Sequence, residues 1–193
     1  MNFLKRQWEK FKQKTIWGKA SDVFFILLLL AVLSNDGRIF LQQAILSTGL
    51  FGNMEENTHQ PISEENWNWT LFDETGKRMP LKEIRGNKIF INTWATWCPP
   101  CNAEMPYIIE LMKETPNTKY LFITTEKPEK VKSHLTKKGW DIPVYYAAQL
   151  PIKELSYSSL PTTFIINEEG ILIHRSEGMR KWNDEAIVSL LND

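Results

Sequence analysis

Outside one four-residue stretch the 193-residue chain has no cysteine: Cys98 and Cys101 are its only two. That scarcity excludes a disulfide-stapled scaffold, and His59, His134 and His174 are too scattered to complete a closed zinc site. An excess of charge of one sign is also missing. Lys plus Arg and Asp plus Glu both number 23, so no global basic field points to nucleic acid. There is no internal repeat, no low-complexity block, and no nucleotide, flavin or metal motif. Nor does any apolar run reach the ~20 residues that span a bilayer comfortably. What remains is a globular composition, 42% hydrophobic and 24% charged.

The charge that is present is unevenly spread. Residues 1–22 carry Lys5, Arg6, Lys10, Lys12, Lys14 and Lys19 against Glu9 and Asp22, while residues 34–66 hold Arg38 alone against five acids. Between them Val23–Leu33 is an unbroken apolar run of eleven residues. A basic stretch followed by such a run reads as a membrane anchor or an export signal with its N-terminus in the cytoplasm. Extension back to Ile16 and Trp17, or on through Ile39–Leu41, supplies the missing length, with Lys19 and Arg38 snorkelling at the two faces. Cleavage near Ser34 and a buried soluble helix stay open. The absence of a nearby cysteine excludes lipid attachment through one. The expected organisation is a basic cytoplasmic segment (1–22), an anchor or signal with a juxtamembrane helix at Ile39–Phe51 (23–51), a polar linker (52–66) and a folded domain (67–193).

Within that domain strand and helix patterns alternate. Trp67–Phe72 and the segment after the turn Asp73–Lys77 predict a hairpin, Leu81–Gly86 a helical turn, and Lys88–Ala95 a β-rich run. Pro99–Glu114 has helical apolar spacing, Lys119–Thr125 is the next strand, Pro128–Lys138 a helix closed by Gly139, and Ile142–Ala147 a short strand. Thr162–Asn167 and Ile171–Ser176 give a second hairpin, followed by a terminal helix at Trp182–Leu191. Such alternation predicts an α/β fold: a central mixed sheet flanked by helices, with an extra N-terminal β-hairpin.

The two cysteines sit where a strand hands over to a helix. Cys98 falls at the N-cap and Cys101 in the first turn, a spacing that permits a disulfide across the helix N-terminus. Helix amides favour an anion there, so Cys98 is read as the exposed attacking thiolate and Cys101 as the resolving thiol. Pro99 and Pro100 suit the first turn, where a missing N–H costs little. Three plainer readings compete. A structural disulfide closing so short a loop constrains the unfolded chain very little. Half of a zinc site needs two further ligands, and a chance pair of core cysteines does not explain the C-x-x-C spacing.

Trp94–Pro106, WATWCPPCNAEMP, together with LPTTFIIN at Leu160–Asn167, resembles the thioredoxin fold, and specifically its membrane-tethered TlpA/ResA-like branch of thiol–disulfide reductases. The resemblance runs from about Trp67 to the C-terminus. It implies a cis-proline at Pro161 facing the cysteine pair, Leu160 and Thr162 flanking a substrate groove, and Trp97 as a surface tryptophan beside the disulfide. Pro106 matches a proline that kinks the active-site helix. A glutamate at the position of Glu104 is, in that branch, partly buried and tunes thiol ionisation. Cys101 and Glu104 share a helix face. The buried aspartate of ordinary thioredoxins is Asn92 here, which cannot move a proton, so Glu104 is the candidate acid–base.

The resemblance implies no cofactor beyond the Cys98–Cys101 dithiol. It implies disulfide-bearing client proteins, apocytochromes c among them, and a transmembrane electron donor. The two prolines remove two N–H donors from the Cys98 sulfur, which favours a less oxidising pair and hence a reductase outside the cytoplasm. Two other classes remain: a peroxide-scavenging redoxin on the same fold, for which Thr96-Trp97-Cys98 lacks the spacing, and a copper or zinc metallochaperone using the cysteines and a histidine.

Overall fold

A computed structural model describes residues 15–34, 37–38, 54–56 and 58–192. The basic residues before Thr15 and the expected helix at Ile39–Phe51 lie outside the described residues. Helix α1, Ile16–Leu33, is 18 residues long and opens on Thr15, whose hydroxyl accepts from the Gly18 N–H at 3.3 Å. The helix therefore extends back beyond the apolar run to Ile16, and Phe24, Phe25, Leu27 and Leu29 are exposed. Among the described residues no helix is long and apolar enough to cross a membrane. This helix belongs to a separate unit, residues 1–41.

The domain begins earlier than the sequence pattern suggests. Strands β1 (Met54–Glu56) and β2 (Gln60–Pro61) both pair antiparallel with the last strand, so part of the expected linker belongs to the sheet. Its polar composition hides this because an edge strand needs backbone partners more than apolar side chains. A helical turn, α2 (Glu64–Trp67), follows, capped by Ser63, and the strand expected from Trp67 starts only at Thr70. Trp67 and Trp69 are instead buried at this turn.

Then come β3 (Thr70–Phe72), β4 (Arg78–Pro80), a 3-10 turn at Leu81–Ile84, β5 (Ile89–Thr93), α3 (Pro99–Glu114), β6 (Lys119–Thr124), α4 (Pro128–Lys138) and β7 (Val144–Ala147). A second 3-10 turn at Lys153–Leu155 leads to β8 (Thr162–Ile166), β9 (Ile171–Glu177) and α5 (Glu185–Asn192). The strand order is β1-β9-β8-β5-β6-β7-β3-β4, with β2 also on β9. Strands β5, β6 and β7 run parallel; β8 runs antiparallel to β5, and β9 antiparallel to β8.

All five residues of β5 are buried, as expected of a strand covered on both faces. One face packs Phe90, Phe122 and Ile165 against α3, α4 and α5. The other packs Ile89, Ile91, Leu121 and Phe164 against Trp67, Leu71 and Leu81. The β8–β9 turn closes tightly on that second cluster. At Gly170, with φ of +78°, an added Cβ would meet Trp67 Cζ2 at 2.9 Å, so only glycine fits. Gly139 ends α4 in the left-handed region at φ +67°.

The parallel strands set the location of the chemistry. β5 delivers the chain at its C-terminal end into the loop Trp94–Trp97 and then α3. β8 starts at that same end, because Thr162 pairs with Thr93. Adjacent strands therefore bring the cysteine loop and the Leu160–Pro161 loop together.

Candidate active site

Cys98 caps α3 and its sulfur accepts from the Cys101 N–H at 3.2 Å. Pro99 and Pro100 fill the first two helical positions and have no N–H, so Cys101 supplies the first amide of the helix. The two cysteines are joined as a disulfide, with Cα atoms 5.3 Å apart. The expected contrast in exposure is small: Cys98 is only 3% exposed and Cys101 fully buried. Cys98 packs into the cluster that holds Trp94, Ala95 and Met105, which withdraws it from the surface. Trp97, beside it, is 65% exposed, a large apolar side chain left in water.

The Leu160–Pro161 bond is cis. Leu160 is partly buried against the cluster that includes both cysteines. Thr162 does not line an open groove as expected. It is fully buried, with its hydroxyl donating to Ser159 O at 2.9 Å and its N–H donating to Thr93 Oγ1 at 3.1 Å. Its work is to fix the start of β8 against β5. Pro106 lies inside α3 and the helix continues through it to Glu114.

Glu104 has no exposed surface. Asn92 Nδ2 donates to its Oε1 at 2.8 Å, while Arg180 N and Trp182 Nε1 donate to Oε2 at 3.1 and 3.0 Å. Burial pushes its carboxyl up to about 8, against the pull of the Trp182, Asn92 and Arg180 donors toward the ionised form. A carboxyl poised there can both take and give a proton near neutral pH. Asn92, in the position of the missing aspartate, also donates to Thr163 Oγ1 at 2.9 Å, so it holds Glu104 rather than carrying a proton itself.

Residues that the sequence pattern did not single out complete the site. Glu126, just past β6, accepts from the Thr96 N–H at 2.5 Å and the Thr96 hydroxyl at 2.9 Å, and pairs with Lys130. Burial alone would push it up, but the Lys130 and Thr96 bonds hold its carboxyl below the usual range. Asn102 donates to the carbonyls of Thr96 at 3.1 Å and Cys98 at 2.7 Å, and its Oδ1 bonds His134 Nε2 at 2.7 Å. The cysteine loop is thus tied to α4 at two points. Asn102 had a signal, its place beside Cys101; Glu126 and Trp182 had none, because only the fold brings them near.

These features match what comparison with other proteins finds. The sequence pattern of the redoxin family matches residues 61–191. The chain belongs to the redoxin family. It is 30% identical over 164 residues to the thiol-disulfide oxidoreductase ResA of Bacillus thuringiensis (strain Al Hakam), covering 83% of this chain and 90% of the relative. The ResA of Bacillus subtilis (strain 168) is 32% identical over 110 residues, covering 55% and 62% of the two chains. Among solved structures, a thiol:disulfide interchange protein of Chlorobium tepidum TLS superposes with a TM-score of 0.55 at 23% identity, covering 72% of this chain and 98% of its own. At that identity it shows the thioredoxin-like fold alone. Together these relatives set the chain among the TlpA/ResA-like redoxins with a thioredoxin-like α/β fold. Among the described residues no three His, Cys, Asp or Glu side chains gather as a metal site.

Proposed function

We propose that this thiol–disulfide oxidoreductase is a reductase of protein disulfides in the cell envelope, held to the membrane by its N-terminal segment. The observation that carries the chemistry is a C-x-x-C disulfide at a helix N-terminus with a buried, proton-exchanging Glu104 one turn further along that helix. In the reduced protein the Cys98 thiolate attacks a client disulfide, forming a mixed disulfide and releasing one client thiol. Cys101 then attacks Cys98 Sγ, which releases the second client thiol and leaves the protein oxidised. Cys101 must lose a proton for that step, and Glu104 is the base within reach, since side chains three apart on a helix lie about 5–6 Å apart at Cβ. Reduction by an electron donor reverses the sequence, with Glu104 returning the proton to Cys101.

The direction rests on the prolines. With one amide facing the Cys98 sulfur, the thiolate is weakly stabilised, which favours the disulfide form and a reducing couple. The envelope location rests on the N-terminal charge pattern and on α1, whose exposed apolar side chains suit lipid better than water. Its unbroken apolar part, Val23–Leu33, is shorter than the ~20 residues that span a bilayer, a shortfall that local thinning of the bilayer and snorkelling of Lys19 and Arg38 would accommodate. A reductase in an oxidising compartment needs a transmembrane donor, and two-cysteine haem-attachment segments of apocytochromes c are clients of fitting chemistry.

The test is insulin reduction. Cys98→Ser should lose essentially all activity, and unchanged turnover in that variant would sink the reading. Cys101→Ser should instead accumulate a mixed disulfide with its client. An equilibrium potential against glutathione near that of the strong oxidases would reverse the direction.

A further inference from the structure

Of the three N–H groups that hold Glu104, two come from far along the chain: Arg180 and Trp182 are 76 and 78 residues away. They belong to the strap between β9 and α5, and the sequence pattern starts the last helix at Trp182 itself. The helix begins only at Glu185 because Trp182 turns inward and Asp184 caps it instead, accepting from the Ile187 N–H at 3.0 Å.

The strap is built to hold that tryptophan still. Trp182 is fully buried, with its ring edge-to-face on Phe90 at 5.1 Å. The Arg180 guanidinium lies 5.2 Å from the ring centre, pairs with Asp184 at 2.8 Å and reaches His174 Nε2 at 3.4 Å. From β5 the carboxyl meets Asn92 and from the strap the Arg180 amide and the Trp182 indole, while Cys101 stands one turn back on its own helix. Arg180, Asp184 and His174 form the charged and titratable layer behind the indole.

We propose that this strap, through Trp182, is a positioning device for the thiol–disulfide reaction: it fixes the Glu104 carboxyl on the Cys101 face of α3 and sets its proton affinity. The inference rests on the reading of Glu104 as the proton acceptor for Cys101. A donor aimed at a carboxylate oxygen favours the ionised form, so removing the indole N–H must make Glu104 hold its proton more tightly. Burial works in the opposite direction to the donors, and the balance between them places the group near neutrality.

Trp182→Phe keeps the aromatic packing and removes the donor. The infrared C=O band of the protonated Glu104 carboxyl, followed against pH in the oxidised protein, should shift its midpoint upward by about one pH unit, tenfold in proton affinity. The pH profile of insulin reduction should move the same way. On a Glu104→Gln background, Trp182→Phe should cause no further shift. Arg180→Met, which loosens the indole while leaving the strap amide in place, should shift the midpoint in the same direction by less, and it serves if the phenylalanine variant fails to fold. An unmoved midpoint in a folded variant overturns the strap's role, whereas a pH profile unaffected by Glu104→Gln overturns the role of Glu104 itself.

Discussion

Glu104 lies on the helix that carries the disulfide and Glu126 grips the loop that leads into it, and each is met by backbone and side-chain donors, yet they settle on opposite sides of the ordinary carboxyl range. Glu104 has no exposed surface and no cation among the donors bonded to it, and burial pushes it up to about 8. Glu126 keeps a side chain 10% exposed, pairs with Lys130 and is held low. The number of N–H donors is not what separates them, because Glu104 accepts from three residues and Glu126 from two. What separates them is water and a counter-ion. One carboxyl is left able to trade protons, and the other is a fixed anion that holds the Thr96 turn in place.

The largest effect expected from this contrast is in the pH dependence of stability. The folded-state pKa of Glu104 lies above its unfolded value, so the folded protein binds the extra proton and stability falls as pH rises from about 4.5 to about 8. The full span is at most about 5 kcal/mol. Denaturant unfolding of the oxidised protein between pH 5 and pH 9 measures it without interference from thiols. Glu104→Gln should flatten the slope in that window, even though an amide meets the surrounding donors less well and lowers stability at pH 5. A wild-type curve with no slope would mean that Glu104 is not a buried, proton-binding acid.

Glu126 should behave in the mirror image, with a smaller amplitude. Its folded pKa is depressed, so its contribution is present above about pH 4.5 and is lost as pH falls through the folded value. Glu126→Gln removes the charge from two bonds to Thr96, at a cost of about 1.5–3 kcal/mol at pH 7. In the reduced protein it should also change the rate at which iodoacetamide alkylates the Cys98 thiolate, since Thr96 lies two residues away. A variant whose loss is full at pH 8 and shrinks progressively as pH falls below about 4.5 would confirm the separate windows, and a loss that stays constant down through the acid range would break the comparison.

How far the sequence shows this is uneven, and the reason is physical. The cysteine loop, its prolines and Glu104 are legible because their relation is local: N-cap, first turn and i, i+3 spacing are fixed by helix geometry. The alternation of buried strands and helices likewise gives β5 through β9 within a residue or two. The edge strands at Met54–Glu56 and Gln60–Pro61 are not legible, since their pairing with β9 is a matter of backbone and not of apolar pattern. Trp182 reads as the start of an amphipathic helix, and only tertiary packing against Phe90 and Glu104 turns it into a donor. Glu126 carries no local mark at all. The exposure expected of Cys98 failed for the same reason, because burial of the cap is decided by what packs beside it.

The smallest expected effect is the most discriminating about how Glu126 is held. Lys130 pairs with it at i, i+4 on a side chain that is 57% exposed, where such a pair contributes only about 0.3–0.5 kcal/mol. Lys130→Met should therefore lower the unfolding midpoint slightly at low salt and hardly at all in 1 M salt, where charges are screened beyond about 3 Å. Glu126 should rise toward the ordinary carboxyl value, but the Thr96 amide and hydroxyl would remain bonded to it, so the alkylation rate of Cys98 should stay near wild type. If instead Lys130→Met costs as much as Glu126→Gln, the cation and not the Thr96 turn is what keeps this carboxyl ionised. The difference between the two acids would then reduce to the presence of one lysine, and a lysine placed near Glu104 would be enough to erase it.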